Sequence, residues 1–126
     1  MATAPSLIAV VDDESAVRTM LGRVLPLAGY SVAPFATGED FLASLPAALP
    51  ACAIVDIHMP GLDGFAVLAR LRNAGYAIPI IFITASDDDS LDKAAREAGA
   101  NKLLRKPFSS EALMAAIAAA LTVAET

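Results

Sequence analysis

Five short apolar runs, separated by segments with helical spacing of apolar residues, constrain the fold of this chain more than any other feature. The runs are rich in Val and Ile, and several are apolar throughout, which is typical of strands buried on both faces of a sheet. They cover residues 7–11, 30–35, 52–55, 78–84 and 102–104. Strands that alternate with helices in this way form a parallel sheet with helices on both faces. The sequence therefore predicts an α/β fold with five strands and five helices.

The predicted helices are marked by capping residues and terminal glycines. They cover residues 15–28, 38–45, 64–74, 88–98 and 111–121. The predicted caps are Ser15, Thr37, either Ser86 or Asp87, and either Ser109 or Ser110, whose side chains can accept hydrogen bonds from the first helical turn. Pro26 lacks a backbone donor and is expected to kink or shorten the first helix. Pro34 is expected to place the second strand at an edge of the sheet.

Composition and charge narrow the class of protein. The chain has 126 residues, the size of one domain, and 56% of them are hydrophobic, which is enough for a full core. No apolar stretch approaches the roughly 20 residues that cross a membrane, and no signal peptide pattern is present, so we expect a cytoplasmic protein without membrane contact. The net charge of −5 argues against nucleic-acid binding by this domain. The single cysteine, Cys52, is expected to be a buried thiol.

Charged and hydroxyl side chains follow the predicted strands where each strand ends. Asp12 and Asp13 come directly after the first strand, and Asp56 comes directly after the third. In the flavodoxin-like, doubly wound strand order 2-1-3-4-5, ligands bind in the crevice between strands 1 and 3. We therefore expect these three carboxylates to meet at one edge of the sheet. Thr84 ends the fourth strand and Lys106 follows the fifth, so both can reach the same edge.

Three carboxylates at one edge repel each other unless a cation offsets their charge. Mg²⁺ prefers oxygen ligands and often binds one or two carboxylates together with a phosphate. A nearby ammonium group and hydroxyl group would complete an open pocket of this kind. Such a pocket is suited to phosphoryl transfer, in which a carboxylate is the nucleophile and cations offset the charge of the phosphoryl oxygens.

Four short motifs at these strand ends resemble the receiver domain of bacterial two-component response regulators. They are VDDE at 11–14, DIHMPGLDG at 56–64, TA at 84–85 and KPF at 106–108. The resemblance extends over nearly the whole chain, residues 7–121, and is greatest to receivers of nitrogen-fixation and LuxR-type regulators. The resemblance implies that residues 1–126 form a single receiver domain of a phosphorelay. Such a domain is not a conventional enzyme, because it promotes only its own phosphorylation and dephosphorylation.

The resemblance implies a chemical role for three residues. Asp56 would accept a phosphoryl group from a sensor histidine kinase, a phosphotransfer protein or a small donor such as acetyl phosphate. Lys106 would contact the phosphoryl oxygens, and Thr84 would move to hydrogen-bond the phosphoryl group. The bond between Lys106 and Pro107 is implied to be cis, as is usual for a proline in such a tight turn.

The resemblance also implies that Mg²⁺ is the cofactor, and it implies which residues would bind it. Asp13 would bind Mg²⁺ directly, and Asp12 would bind it mainly through water. Asp56 would contact the ion, and His58 would contribute its backbone carbonyl, so that the imidazole need not take part.

One departure from the family pattern affects signal output. The family usually has Tyr or Phe three residues before the lysine, coupled to the threonine, and this chain has Leu103 there. The aromatic movement therefore cannot operate in its usual form, and coupling would rely on a new rotamer of Leu103 or on backbone movement. The output face, built from the fourth helix, fifth strand and fifth helix, is expected to bind a partner or to form a homodimer.

Two other functions fit some of these residues. The first is a magnesium-dependent phosphohydrolase with an aspartyl-phosphate intermediate, on a related sheet. Such enzymes usually need a second acid where this chain has His58. They also tend to carry a segment that covers the substrate, and this chain has no spare length for one. The second is a receiver fold that binds partners without phosphorylation, although the complete set of acidic residues argues against it. The chain is expected to be either a stand-alone receiver or part of a longer regulator.

Overall fold

The computed structural model describes residues 5–125, in which five parallel strands alternate with five helices. The strands are β1 (Leu7–Val11), β2 (Ser31–Phe35), β3 (Cys52–Asp56), β4 (Ile80–Thr84) and β5 (Lys102–Arg105). The helices are α1 (Ser15–Leu27), α2 (Gly38–Ala43), α3 (Gly64–Asn73), α4 (Ser90–Ala98) and α5 (Ser110–Glu125). The sheet order is β2-β1-β3-β4-β5, and all neighbouring strands are parallel. The predicted flavodoxin-like order and fold class are confirmed.

The central strands supply both halves of the core because successive side chains point to opposite faces of the sheet. On β1, Val11 packs on the face covered by α2, α3 and α4, whereas Val10 packs on the face covered by α1 and α5. On β3, Val55 and Ile54 divide in the same way. Every residue of β3 and β4 is buried, which explains why both runs are nearly continuous in apolar residues.

Two predictions about single residues in the sheet are confirmed. Cys52, at the start of β3, is fully buried, and this burial raises the pKa of its thiol to about 12, so the thiol is neutral and unreactive at physiological pH. Pro34 lies in β2, which is an edge strand, and its side chain is exposed. An edge position accommodates the missing amide because one side of the strand has no partner strand.

The start of α1 differs from its prediction. Ser15 is the first helical residue rather than the cap; the cap position is Glu14, which makes no side-chain capping bond. The backbone N–H of Glu14 instead donates to Asp12 Oδ1 at 2.9 Å. Pro26 lies one residue before the helix ends at Leu27, so its missing donor affects only the final turn.

The start of α4 was also predicted wrongly. The helix begins at Ser90, two residues later than expected, and neither Ser86 nor Asp87 is its cap. The Ser86 hydroxyl accepts from the N–H of Asp88 at 3.1 Å, and Asp88 Oδ1 accepts from the N–H of Ser90 at 3.0 Å. Successive turns closed by side chains therefore compete with helix formation in this loop.

The remaining caps agree with the sequence. Thr37 accepts from the N–H of Asp40 at 3.0 Å, and Ser109 accepts from the N–H of Ala112 at 3.0 Å, which identifies Ser109 as the cap of α5. Other predicted ends differ from the observed ones by a few residues, which is the usual uncertainty of helix and strand boundaries. Within residues 5–125, no helix is both long and apolar enough to cross a membrane.

Candidate functional site

The acidic residues at the carboxyl ends of β1 and β3 lie side by side at one edge of the sheet. Val11 pairs with Val55, so Asp12, directly after β1, lies at the same level as Asp56, the last residue of β3. One carboxylate oxygen from each of Asp12, Asp13 and Asp56 lies within 4.8 Å of the other two. Asp12 and Asp56 are only 0% and 4% exposed, whereas Asp13 faces solvent. The structure therefore brings the three predicted carboxylates together.

Lys106 brings positive charge to this cluster. Its backbone N–H donates to Thr84 O at 2.7 Å, which fixes the lysine directly beyond the end of β5. Its Nζ lies 2.9 Å from Asp12 Oδ2 and 3.7 Å from Asp56 Oδ2. The Lys106–Pro107 bond is cis, as the resemblance implied. One largely buried ammonium group thus faces carboxylates from two neighbouring strands.

The shortest ion pair of this ammonium group is with Glu14, a residue to which the sequence assigned no role. Lys106 Nζ donates to Glu14 Oε1 at 2.8 Å. The Glu14 side chain is 58% exposed, so it lies at the rim of the cluster rather than inside it. The hydrogen bond from Lys106 lowers the pKa of Glu14. Its place directly after the aspartate pair was the only sequence signal for this contact.

Burial and charge shift the acid–base behaviour of the cluster. Burial, with repulsion from Asp12, raises the pKa of Asp56 to about 6, although Lys106 opposes the change. Burial lowers the pKa of Lys106, but its contacts with the carboxylates of Glu14, Asp12 and Asp56 outweigh this, so the pKa lies above its usual value. The ammonium group is therefore charged at neutral pH, and it offsets only part of the negative charge around it.

The donor set fits a hard divalent cation. Asp12 Oδ2 is buried and has no hydrogen-bond partner among the residues that the structure describes. It forms an ion pair with Lys106 Nζ at 2.9 Å. Two further carboxylates lie within 4.8 Å, so one ammonium group offsets only part of the negative charge, and a divalent cation would offset the rest. Oxygen ligands of this kind are those that Mg²⁺ prefers.

His58 lies beside the carboxylate of Asp56 through its backbone rather than its ring. The His58 side chain is exposed, and its N–H donates to Asp56 Oδ1 at 3.4 Å, which is a long hydrogen bond. The backbone at this position is therefore close enough to influence the carboxylate, while the imidazole points to solvent. The proposed use of its carbonyl as a metal ligand stays a prediction.

Thr84 ends β4, the strand next to the one that carries Asp56. Asp56 pairs with Ile83, so Thr84 is one residue further along the neighbouring strand, and its side chain is fully buried. Thr84 Oγ1 accepts a hydrogen bond from the N–H of Ser86 at 3.1 Å. Because that bond uses only a lone pair, the hydroxyl proton remains able to bind another acceptor.

Gly64 allows the loop after β3 to close tightly over the site, a requirement that the sequence did not reveal. The Gly64 N–H donates to Ile57 O at 2.9 Å, and the Ile57 N–H donates to Ile83 O at 2.9 Å. A Cβ atom on Gly64 would lie 2.8 Å from Asp56 O, 2.9 Å from Ile57 Cα and 3.1 Å from the ring of Phe82. Only glycine fits this position without displacing the backbone that carries Asp56.

Comparisons with known proteins agree with this geometry. The family model described as the response regulator receiver domain matches residues 8–118. Response regulator MprA of Mycolicibacterium vanbaalenii is 41% identical over 93% of this chain and 51% of MprA. Transcriptional regulatory protein FixJ of Bradyrhizobium diazoefficiens is 37% identical over 94% of this chain and 58% of FixJ. The structure of Vibrio cholerae chemotaxis protein CheY4 is similar with a TM-score of 0.85, at 30% identity, over 94% of this chain and all of CheY4.

The chain therefore belongs to the response regulator receiver domains of two-component systems. It spans about half the length of the curated relatives that it matches. The match to FixJ agrees with the resemblance to nitrogen-fixation regulators. Members of this family act in phosphorylation-dependent signalling and are not conventional enzymes, so the assignment favours signalling over the phosphohydrolase alternative.

Proposed function

We propose that Asp56 accepts a phosphoryl group in a Mg²⁺-dependent reaction and that this modification switches the face formed by α4, β5 and α5. The observation that carries the proposal is the convergence of Asp12, Asp13, Asp56 and Lys106 at one edge of the sheet. Phosphoryl transfer depends mainly on positioning and on charge that offsets the phosphoryl oxygens. The cluster supplies a carboxylate as nucleophile, the ammonium group of Lys106 as a fixed cation, and ligands for Mg²⁺ as a second cation.

Asp56 is the carboxylate suited to attack. Its pKa of about 6 leaves it ionised at pH 7.5, and burial keeps it less hydrated than a surface carboxylate. One of its oxygens forms a bond to phosphorus while the bond from phosphorus to the leaving group of the donor breaks, and the leaving group keeps the electron pair. Lys106 offsets the charge on the phosphoryl oxygens, and the hydroxyl of Thr84 can donate to one of them.

The same carboxylates would hold Mg²⁺, which supplies further positive charge against the phosphoryl oxygens when it is bound. Asp13 offers an oxygen on the exposed side of the cluster, and Asp56 offers one at the end of β3. Asp12 offers the buried oxygen that lacks a hydrogen bond, directly or through water. The backbone carbonyl of His58 would complete the protein ligands.

The phosphoryl donor would be a sensor histidine kinase, a phosphotransfer protein or a small molecule such as acetyl phosphate. The chain would promote its own phosphorylation and dephosphorylation and no other reaction. The switched face would then bind a protein partner or a second copy of the chain.

Covalent labelling tests the phosphoacceptor. With Mg²⁺ and acetyl phosphate, the wild-type chain should gain one phosphoryl group, and Asp56→Asn should gain none because an amide is not a nucleophile of this kind. Intact-mass spectrometry measures the product. Asp63→Asn is the matched control, because Asp63 caps α3 in the same loop and lies outside the cluster. Stoichiometric labelling of Asp56→Asn would refute the assignment, and labelling without Mg²⁺ would refute the metal requirement.

A series of hydrogen bonds offers a route from the site to the output face that does not need an aromatic residue at Leu103. Thr84 accepts from Ser86, Ser86 accepts from Asp88, and Asp88 accepts from Ser90 at the start of α4. Arg105 of β5 closes the series, since it donates to Asp88 O at 2.8 Å and pairs with Asp92 of α4. If Thr84 turns toward a phosphoryl group, the first bond of the series is lost.

Hydrogen exchange tests this route. Beryllium fluoride with Mg²⁺, as a mimic of the phosphoryl group, should speed exchange of the amides of Ser86, Asp88 and Ser90, because their side-chain acceptors move. The amide of Asp40 is the internal control, since it donates to Thr37 in the same way but belongs to α2. Unchanged exchange at Ser86 in the occupied protein would contradict the route through Thr84.

A further inference from the structure

The rim of the site contains an ion pair that the proposed chemistry does not use. Glu14 Oε1 lies 2.8 Å from Lys106 Nζ, closer than the oxygens of Asp12 and Asp56 at 2.9 and 3.7 Å. It is also the carboxylate to which this ammonium group donates a hydrogen bond with good geometry. Glu14 lies outside the group of carboxylates that are close enough to share a metal ion. Its observed contact in the site is therefore with the lysine.

Three carboxylates surround the ammonium group, but Glu14 is the one that accepts a hydrogen bond from it with good geometry, and Asp56 Oδ2 is 3.7 Å away. Phosphorylation replaces the charge of the Asp56 carboxylate with that of the phosphoryl oxygens, so Lys106 must turn toward these oxygens and loosen another contact. Asp12 is buried and would lose its charge partner in a poorly solvated place. Glu14 is 58% exposed, so water can replace the lysine at little cost. Glu14 is therefore the contact most easily exchanged.

The pair lies beside an open cavity at the edge of the site. Glu14 and Lys106 both line this cavity of about 360 Å³, whose apolar wall includes Val17, Met20 and Phe108. A phosphoryl donor that approaches Lys106 through this cavity would meet the carboxylate of Glu14, because Glu14 lines the cavity and Asp56 does not. The negative charge of Glu14 repels an anionic donor, and its hydrogen bond holds the ammonium group at the rim.

We propose that Glu14 is a positioning residue that holds Lys106 in the unphosphorylated protein and slows phosphorylation of Asp56, because Lys106 must exchange Glu14 for the phosphoryl oxygens. This inference rests on the proposed function of Asp56. In the reaction with acetyl phosphate, an oxygen of Asp56 bonds to phosphorus, the bond from phosphorus to the acetate oxygen breaks, and acetate leaves with the electron pair. Lys106 contacts the transferred oxygens only after its bond to Glu14 opens.

Glu14→Gln tests the proposal because it keeps the shape of the side chain and removes its charge. The variant should be labelled by acetyl phosphate about two- to fivefold faster than the wild type, the range expected for the loss of an exposed ion pair. It should also bind beryllium fluoride with Mg²⁺ more tightly by a similar factor in calorimetric titration. Equal rates and equal affinities in the two proteins would overturn the proposal.

Two further variants separate the contact from other effects. Glu14→Asp keeps the charge but shortens the side chain and so weakens its hydrogen bond to Lys106, and it should also label faster than the wild type; a wild-type rate in this variant would overturn the positioning role. Glu97→Gln removes a glutamate from another exposed lysine pair, with Lys93 of α4, and should leave labelling unchanged. An equal acceleration in Glu97→Gln would mean that net charge alone sets the rate, which also overturns the proposal.

The result distinguishes this proposal from the proposed function. If neither the wild type nor Glu14→Gln is labelled at Asp56, the phosphoacceptor assignment fails and the role of Glu14 fails with it. If the wild type is labelled and Glu14→Gln is labelled at the same rate, only the role of Glu14 fails. Urea unfolding of both proteins without Mg²⁺ should give similar midpoints, since an exposed ion pair contributes little to stability.

Discussion

Replacing Lys106 with Met is expected to lower the free energy of unfolding by about 3 kcal/mol at pH 8 without Mg²⁺, because removal of one partner leaves buried carboxylates without their counter-charge. Asp12 and Asp56 are almost fully buried, and the Lys106 ammonium group lies within 4.0 Å of both. Methionine keeps most of the length of the side chain and cannot offset charge. Urea denaturation followed by circular dichroism measures the change.

The effect of Lys106→Met should depend on pH with a definite sign. Burial raises the pKa of Asp56 to about 6 in the folded wild type, above its unfolded value, and loss of the lysine raises it further. At pH values between the unfolded and the folded pKa of Asp56, the folded state therefore binds more protons than the unfolded state. The free energy of unfolding falls as the pH rises through the folded pKa. The loss caused by the substitution should be largest at pH 8 and smallest near pH 5.

Lys102→Met is the matched control for this prediction. Lys102 lies at the start of the same strand, β5, and its side chain is exposed. Its replacement should change the free energy of unfolding by less than about 0.5 kcal/mol, as is usual at exposed positions. A comparable loss in both variants, or a loss in Lys106→Met that does not vary with pH, would contradict the role of the buried charges.

Gly64→Ala is expected to lower the free energy of unfolding by about 2–3 kcal/mol, because the added methyl group overlaps the backbone. The nearest atoms are Asp56 O at 2.8 Å and Ile57 Cα at 2.9 Å, neither of which belongs to a flexible side chain. The displaced segment carries the phosphoacceptor, so the rate of labelling by acetyl phosphate should also fall. Chemical denaturation and labelling of the same preparation measure both effects.

Gly22→Ala gives the opposite expectation and is the control for Gly64→Ala. Gly22 lies within α1, and a Cβ atom there would meet nothing within 4 Å. Alanine should stabilise the helix by about 0.5–1 kcal/mol, because it reduces the freedom of the unfolded chain. If the two variants were destabilised equally, the close packing around Gly64 would not be the cause.

The fold and most of the site could be predicted because they follow from order along the chain. The apolar runs that became β1, β3 and β4 are nearly continuous, which few other structures explain. The carboxyl ends of parallel strands meet at one edge, so Asp12, Asp56 and Lys106 had to converge once the strand order was known. Topology alone therefore placed side chains that are far apart in sequence.

The features that were missed depend on distances that sequence order does not contain. The bond between Glu14 and Lys106 joins residues 92 positions apart through two long side chains, whose rotamers no periodicity determines. The need for glycine at position 64 arises from atoms of β3 and Phe82 that approach it only in the folded chain. The late start of α4 reflects local competition, in which the side chains of Ser86 and Asp88 bind backbone amides that a helix would otherwise use.

The outer strands of the sheet have a consequence for how copies of this chain can associate. β2 contains Pro34, and β5 is only four residues long, with Lys102 and Arg105 at its two ends. Each feature discourages a foreign strand from hydrogen-bonding to the exposed margin of the sheet, which is a common route to aggregation. A dimer of this domain is therefore expected to assemble through side chains rather than by strand pairing, and contacts of that kind can be strengthened or weakened reversibly by a chemical signal.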